Sequence, residues 1–416
     1  KSKRHFDIVT ARSYDIVIVD EAHHLKNHRT LNWKLIDAIP RTFLLLLTAT
    51  PVQNNLEELF NLVTLLRPGH LKSRKAFKNE FVTRGNPTDP QNREKLRQLL
   101  KEVMIRNTRS VTQLRLPPRF ATTTKVIPSE YEERYYQRIS EFLIRQSQIE
   151  TSRFTRMSSQ KLLEAAGSSH FAAQRMLQNL KDSGGNGSEN DISDILSLGK
   201  KIGMSSKVRN LLDLVNASSD QKIIFVNYIG TLDYLRTILK EQKIPFVIYY
   251  GSLTAEQKQT AIDDFRGGCP VLLATGSGGE GHNLQFCHTM INYDLPWNPM
   301  EIEQRIGRIH RIGQTNDVQV YNFCTTGSIE DHILDVLDRK INMFELVVGE
   351  IDMILGRMKS EQEFSEMVYE IWIKNPEADK RKQAFNKLST RLMNARKAHL
   401  KSKELDDKLF QEDFVL

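Results

Sequence analysis

"IVIVDEAHHLKN", residues 16–27, sets four apolar residues directly against two carboxylates, Asp20 and Glu21, and two imidazoles, His23 and His24. A short apolar run without alternation has the pattern of a strand buried on both faces of a parallel sheet. In a doubly wound sheet the ligand crevice lies at the carboxyl ends of the strands. A strand ending in "VDEAH" therefore delivers Asp20 and Glu21 to that edge. Two adjacent carboxylates buried there are costly without a cation, so a magnesium ion carried by a nucleoside triphosphate is their natural partner. Asp-Glu is also a pair that caps a helix after an ordinary strand, and four letters do not separate the two roles.

The same alternation continues outward. "TFLLLLT" (42–48) is a second buried strand, and "RTLNWKLIDAI" between the two has Leu31, Leu35 and Ile39 on one helical stripe. After Pro51 the spacing turns helical in "NLEELFNLVTLL", which Pro68 and Gly69 stop, and again in "NREKLRQLLKEVMIR". "RFATTTKVI" (119–127) reads as a strand returning to this first sheet. Residues 129–182 are polar and helical and end in "KDSGGNGSEND" (181–191), which has the composition of a flexible linker. Strands are then expected at 222–228, 245–251, 270–276, 289–295 and 318–324, with helices between them. The fold class is α/β, with a second doubly wound parallel sheet. From Ser328 one long helix, "SIEDHILDVLDRKINMFELVVGE", is expected to close the second sheet. A lysine- and arginine-rich helical stretch follows to residue 416.

Composition bounds the function without choosing it. The 416 residues carry 59 Lys+Arg against 51 Asp+Glu, a net charge of +8 that permits a polyanionic partner. The longest apolar runs, such as Phe43 to Leu47, are too short to span a bilayer, and the N-terminal stretch lacks the apolar core of a secretion signal. Cys269, Cys287 and Cys324 sit singly in apolar surroundings, as small buried hydrophobes of a reducing compartment.

The second chemical signal is "QRIGRIHRIGQ" (304–314). Arg305, Arg308 and Arg311 recur every three residues, so a helix would fan them across one side. Anions are the natural partners of three such guanidiniums, and across from a triphosphate one or two can stabilise charge on the transferring phosphoryl group. A salt-bridged surface helix accounts for the arginines but not for the Gln and Gly punctuation.

"DEAH" (20–23), "TATP" (48–51), "IRNTRSVTQLRLPPR" (105–119), "ATGSGGEGHNLQ" (274–285) and "QRIGRIHRIGQ" (304–314) occur in the order and rough spacing of one known family. The chain resembles the Swi/Snf helicase-like ATPases of helicase superfamily two over about residues 14–349. "INYDLPWNPMEIEQRIGRIHRIGQ" is most similar to bacterial members, which include the Swi/Snf-type ATPase that associates with RNA polymerase. The resemblance implies two RecA-like lobes. The first, partial, covers 1–128 with a helical insertion at about 52–110. A helical insertion and linker follow at 129–200, the second lobe at 201–349 and a basic helical extension at 350–416.

ATP and Mg2+ are the implied cofactors. Asp20 would hold the metal, Glu21 would serve the attacking water, and His23 would link the nucleotide site to the other motifs. Thr48 and Thr50 match the motif that couples hydrolysis to strand engagement. Gln304 and Arg305 open the arginine motif, with Arg308 and Arg311 at its finger positions. Gly281 and Asn283 match the second-lobe loop that approaches the nucleotide, and Thr275 and Ser277 the side of that loop that meets the nucleic-acid backbone. The implied activity is ATP-driven translocation on double-stranded DNA with little sequence preference, in the cytoplasm and at the nucleoid of a bacterium. RNA polymerase or another DNA-bound protein is a candidate partner, and no membrane is involved. The alternatives are a non-catalytic nucleic-acid- or RNA-polymerase-binding module, or a strand-separating helicase.

Two departures from the family pattern stand out. His282 occupies a position usually aliphatic. The family's phosphate loop, G-x-x-x-x-G-K-[ST], lies upstream of the Asp-Glu strand, whereas only nineteen residues precede Asp20 and none resembles it. The chain is therefore expected to be a piece of a longer protein. Phosphoryl transfer depends on a ring of backbone N–H groups and a lysine around the β- and γ-phosphates. Purified residues 1–416 should accordingly show no significant ATP hydrolysis with saturating DNA. Robust DNA-stimulated turnover would mean that another segment cradles the phosphates.

Overall fold

The computed structural model describes residues 6–20, 22–48, 56–83, 86–105, 116–149, 155–182, 189–276, 284–340, 342–345, 350–356, 358 and 363–409. The chain divides into two compact units, residues 1–114 with 394–416, and residues 115–393.

In the first unit, α1 (Phe6–Thr10) leads into β1 (Tyr14–Val19), α2 (Leu31–Ala38) and β2 (Arg41–Leu46). β1 and β2 pair in parallel, with Val19 opposite Leu46. Thr30 starts α2 by accepting a hydrogen bond from Trp33 N at 3.3 Å. Helices α3 (Leu56–Leu66) and α4 (Arg74–Phe81), the short hairpin β3 (Val82–Thr83) and β4 (Asn86–Pro90), and α5 (Arg93–Lys101) follow. Leu59, Phe60, Val63, Phe77, Phe81, Leu96 and Leu100 form their shared core. Burial on both strand faces, expected from the unbroken apolar runs, is not what the described residues show. Leu44 and Leu46 pack on Leu62 and Leu65, while Ile18 and Phe43 are 60% and 63% exposed. Helices cover one face of this two-stranded sheet, and the alternation of side chains along each strand leaves the other open.

The second unit contains β5 (Arg119–Val126), α6 (Glu130–Ser147), α7 (Arg156–Ser168), α8 (His170–Asp182), α9 (Glu189–Gly199) and α10 (Ser206–Asn216). The alternation β6 (Lys222–Val226), α11 (Ile229–Glu241), β7 (Phe246–Tyr249), α12 (Ala255–Arg266), β8 (Val271–Thr275), β9 (Thr289–Asn292), α13 (Pro299–Ile309) and β10 (Val318–Thr325) comes next. It ends in α14 (Ile329–Leu334), α15 (Glu350–Gly356), α16 (Phe364–Lys374) and α17 (Ala378–Leu409), of which only the residues up to Met393 belong to this unit. Six strands form one parallel sheet in the order β5-β10-β9-β6-β8-β7. β6, β8 and β9 are buried along their whole length, as strands covered on both faces must be. Ile224, Leu235, Leu273, Ile291 and Phe323 lie in its core. Among the described residues, no helix is long and apolar enough to cross a membrane.

Three expectations are corrected. The strand 119–127 does not return to the first sheet: β5 pairs with β10 from Arg119–Val318 to Val126–Thr325. The division between the units thus falls before this strand and not after residue 128. The glycine-rich segment read as a linker does not separate the units either. Its residues 183–188 lie outside the described ones, and α6 to α9 all belong to the second unit, with Ile139, Phe142, Leu163, Leu177 and Ile195 fully buried. The single long helix from Ser328 is broken. A wide π turn over Asp335–Lys340 follows α14, and Asn342 takes a left-handed backbone at φ 44°, which a continuing helix does not accommodate.

Burial sets how each sheet responds to truncation. Phe323→Ala should destabilise the second unit by about 3–5 kcal/mol. Leu45→Ala, on the open face of β2, should change stability by less than about 0.5 kcal/mol. Urea unfolding of the two variants measures both.

Candidate nucleotide and nucleic-acid site

In the first unit the sheet ladder continues one step past the strands. Leu47 N donates to Val19 O at 2.9 Å and Ala22 N to Leu47 O at 2.8 Å. This places Asp20 one residue past the paired Val19, and Thr48 two residues past its partner Leu46, at the carboxyl edge, with the Asp20 side chain exposed. The chain then folds into a tight 3-10 turn, Ala22–Leu25, whose Ala22 and Leu25 are buried. What fixes that turn was not foreseen from the sequence. Asn61 Nδ2 of α3 donates to Lys26 O at 2.6 Å, and Arg74 of α4 donates to Asn61 Oδ1 at 2.9 Å. Lys26 Nζ, itself buried, lies 3.7 Å from Glu58 Oε2. Arg74 also donates to His28 Nδ1 at 2.8 Å. Desolvation, then the Arg74 charge, lowers the His28 pKa, which keeps the ring neutral and able to accept. Glu21, Thr50 and the His23 side chain lie outside the described residues.

An exposed carboxylate at a strand terminus suits a magnesium ion carried in on a nucleotide. Such an ion takes one or two carboxylates from the protein and fills its other positions with water and phosphate.

In the second unit the corresponding edge is formed by the ends of β6, β8 and β9. Thr275, expected to face a nucleic-acid backbone, is instead the last residue of β8, buried and paired with Val226. Its alternating position points it into the core layer. Ser277, Gly281, His282 and Asn283 lie outside the described residues.

The arginine motif departs from the expected fan. Asn298 caps α13 by accepting from Met300 N at 3.0 Å, and the helix ends at Ile309 because His310 leaves the helical conformation (φ −94°, ψ 81°). Gln304 is exposed on α13 and Arg308 half-buried on its last turn, while Arg311 is exposed beyond the helix. Arg305 is only 4% exposed. Its Nη1 donates to Asn292 Oδ1 at 2.9 Å and to Asp294 O at 3.0 Å, and its Nη2 donates to Asn227 Oδ1. The guanidinium sits 5.1 Å from the Phe225 ring centre. Burial lowers its pKa to about 10, which leaves it charged at neutral pH. Arg305 therefore joins the ends of β6 and β9 and leaves only Arg308 and Arg311 of the three to meet an anion.

Behind Arg305 lies a buried polar cluster that the sequence motifs did not reveal. Asp294 Oδ2 accepts from Asn227 N at 2.7 Å and from Ser168 Oγ at 2.8 Å. Lys207 Nζ is 3.8 Å from Asp294 Oδ1 and donates to Glu330 Oε2 at 3.1 Å and to Gly167 O at 3.0 Å. Burial pushes Glu330 up to about 7, with Lys207 opposing it. The one sequence signal was Asp294 itself, a carboxylate closing the apolar run of β9.

The family model of the SNF2-related domain matches residues 1–182, and that of the helicase conserved C-terminal domain matches residues 206–313. The chain is 40% identical over 372 residues to an uncharacterized ATP-dependent helicase, YqhH, of Bacillus subtilis, covering 89% of this chain and 66% of that protein. It is 29% identical over 346 residues to chromodomain-helicase-DNA-binding protein 7 of Homo sapiens, covering 80% of this chain and 11% of that one. The chain thus spans just under two thirds of the first relative and a small part of the second. Among solved structures, the SWI2/SNF2 ATPase core of Sulfolobus solfataricus in complex with dsDNA is 21% identical, with a TM-score of 0.41, covering 85% of this chain and 73% of that one.

The two arginine environments predict opposite outcomes on truncation. Arg305→Ala strands the buried polar groups of Asn227, Asn292 and Asp294 and should cost about 2–4 kcal/mol of stability. Arg308→Ala should stay within about 1 kcal/mol. Thermal unfolding of the pair decides whether the motif's first arginine is part of the scaffold.

Proposed function

Because the chain belongs to the Snf2-type helicase-like proteins of helicase superfamily two, we propose that it is the motor part of an ATP-driven translocase acting on double-stranded DNA in the cytoplasm. The observation that carries this reading is the exposed Asp20 carboxylate at the carboxyl end of β1, where the ladder runs one step past the paired strands. The half-buried Arg308, the exposed Arg311 and the net charge of +8 support it.

In this mechanism Asp20 would hold a magnesium ion carried on the nucleotide, which would supply charge neutralisation for phosphoryl transfer. Glu21 orients the attacking water and takes its proton. Arg308 and Arg311 stabilise charge at the transferring phosphoryl group. His23 and Gln304 connect the nucleotide to the neighbouring motifs, and Gly281 and Asn283 approach it from their loop. Thr48, Thr50 and Ser277 transmit the change to the DNA backbone. Contacts of that kind read phosphates and not bases, so binding is sequence-tolerant and weakens steeply with salt.

The test is ATP hydrolysis by the intact protein with duplex DNA, single-stranded DNA and RNA. Duplex should stimulate most. Glu21→Gln should bind ATP and abolish turnover, and Arg308→Ala should lower turnover by up to roughly 10³-fold. Preferential stimulation by RNA would overturn the choice of substrate, and wild-type turnover in Glu21→Gln would remove that residue from the chemistry.

A further inference from the structure

Arg311 stands on an exposed turn past the end of α13, where nothing helical fixes it. Gln314 N donates to Arg311 O at 3.0 Å and closes residues 311–314 into a turn. Gly313, third in that turn, has φ 101°, a conformation that glycine adopts freely. A turn of this sort on the surface would sample many positions, yet this one is tied down from inside.

The tie is a reciprocal pair of glutamines. Gln314 is buried although its neighbours on the turn are exposed. Its Nε2 is shared among three carbonyls, Gln285 O at 2.8 Å, Cys287 O at 3.1 Å and Ile309 O at 3.1 Å. Its Oε1 accepts from Thr315 N and Asn316 N, both at 3.0 Å. Gln285 answers from the other side, donating Nε2 to Ile312 O at 2.6 Å. A side chain added at Gly313 would come within 3.1 Å of Gln285 Oε1, so the turn and the Gln285 amide already touch. His310 Nε2, 2.9 Å from Pro117 O, anchors the start of the segment.

We propose that Gln314 and Gln285 are positioning residues for Arg311, holding its backbone where the guanidinium meets the transferring phosphoryl group. The inference rests on the nucleotide role proposed above for Arg311. It also gives the segment after residue 283 a mechanical part. Gln285 and Cys287 supply or accept the bonds that tie this segment to the turn. A purely apolar contact would fix distance but not the direction of the turn. Five side-chain hydrogen bonds from one buried amide fix both.

Gln314→Glu keeps the shape but replaces the Nε2 donor by an oxygen facing three carbonyls. In the intact protein it should lower duplex-stimulated kcat by about 10²-fold, as a misplacement of roughly 1 Å does, with KM for ATP changed much less. The decisive reading is a double-mutant cycle with Arg311→Ala, in which Gln314→Glu should add less than about threefold, because residues acting as a unit are not additive. Gln285→Leu, at a half-buried position, should behave likewise and carries the same cycle if Gln314→Glu does not fold. Multiplicative losses in either cycle, or wild-type kcat in both single variants, would overturn the clamp. Wild-type kcat in Arg311→Ala would instead overturn the nucleotide role of Arg311, and with it the purpose assigned to the clamp.

Discussion

The second unit depends on one buried cation. Arg305 reaches from α13 to the carboxyl ends of β6 and β9 and joins three polar groups there, Asn227 Oδ1, Asn292 Oδ1 and Asp294 O. A guanidinium suits this place because its rigid planar fork stays charged when desolvated and presents several donors in fixed directions. Gly276 keeps the site open, since a Cβ there would lie 3.3 Å from Arg305 Nη2. The strand ends thus converge on a group that cannot be exchanged without leaving acceptors stranded.

Around that cation the edge is layered. Asp294 passes the connection to Ser168 and Lys207, and Lys207 passes it to Glu330, so α7, α10 and α14 are tied to the same strand end. The exposed groups stand on top of this buried layer. Division of the arginine motif follows from it: one member is spent on cohesion, and two remain at the periphery. In the first unit the DEAH turn is held in a comparable way by Asn61 and Lys26, with neutral His28 accepting from Arg74.

Periodicity made most of the fold legible. Every strand of the second sheet after β5 follows an apolar run in the sequence, and α11, α12 and α13 fall where the pattern changes to helical. Long-range pairing was not legible. "RFATTTKV" is a strand by composition, but its partner, β10, lies about two hundred residues away, and no local pattern announces a crossover. The ordered motifs pointed to Asp20, Thr48, Arg308 and Arg311, whereas the spacing of Arg305, Arg308 and Arg311 hid a change of conformation at His310. Buried partners such as Lys207, Glu330 and Gln314 carry no periodic signature. Their meaning comes only from the carbonyls and carboxylates that tertiary packing brings to them.

Glu330 gives the second unit a thermodynamic linkage to protons. Its carboxyl rises from an ordinary value of 4.5 to about 7 on folding, so the folded unit binds that proton more tightly than the unfolded chain does. The contribution is at its most favourable below about pH 4.5, diminishes as pH rises through the interval, and is fully lost above about pH 7. Folding within that window therefore takes a proton from the buffer, and unfolding returns it. Calorimetric enthalpies collected near pH 6 contain the ionisation heat of whatever buffer was chosen, and phosphate and Tris would report different values for the same transition.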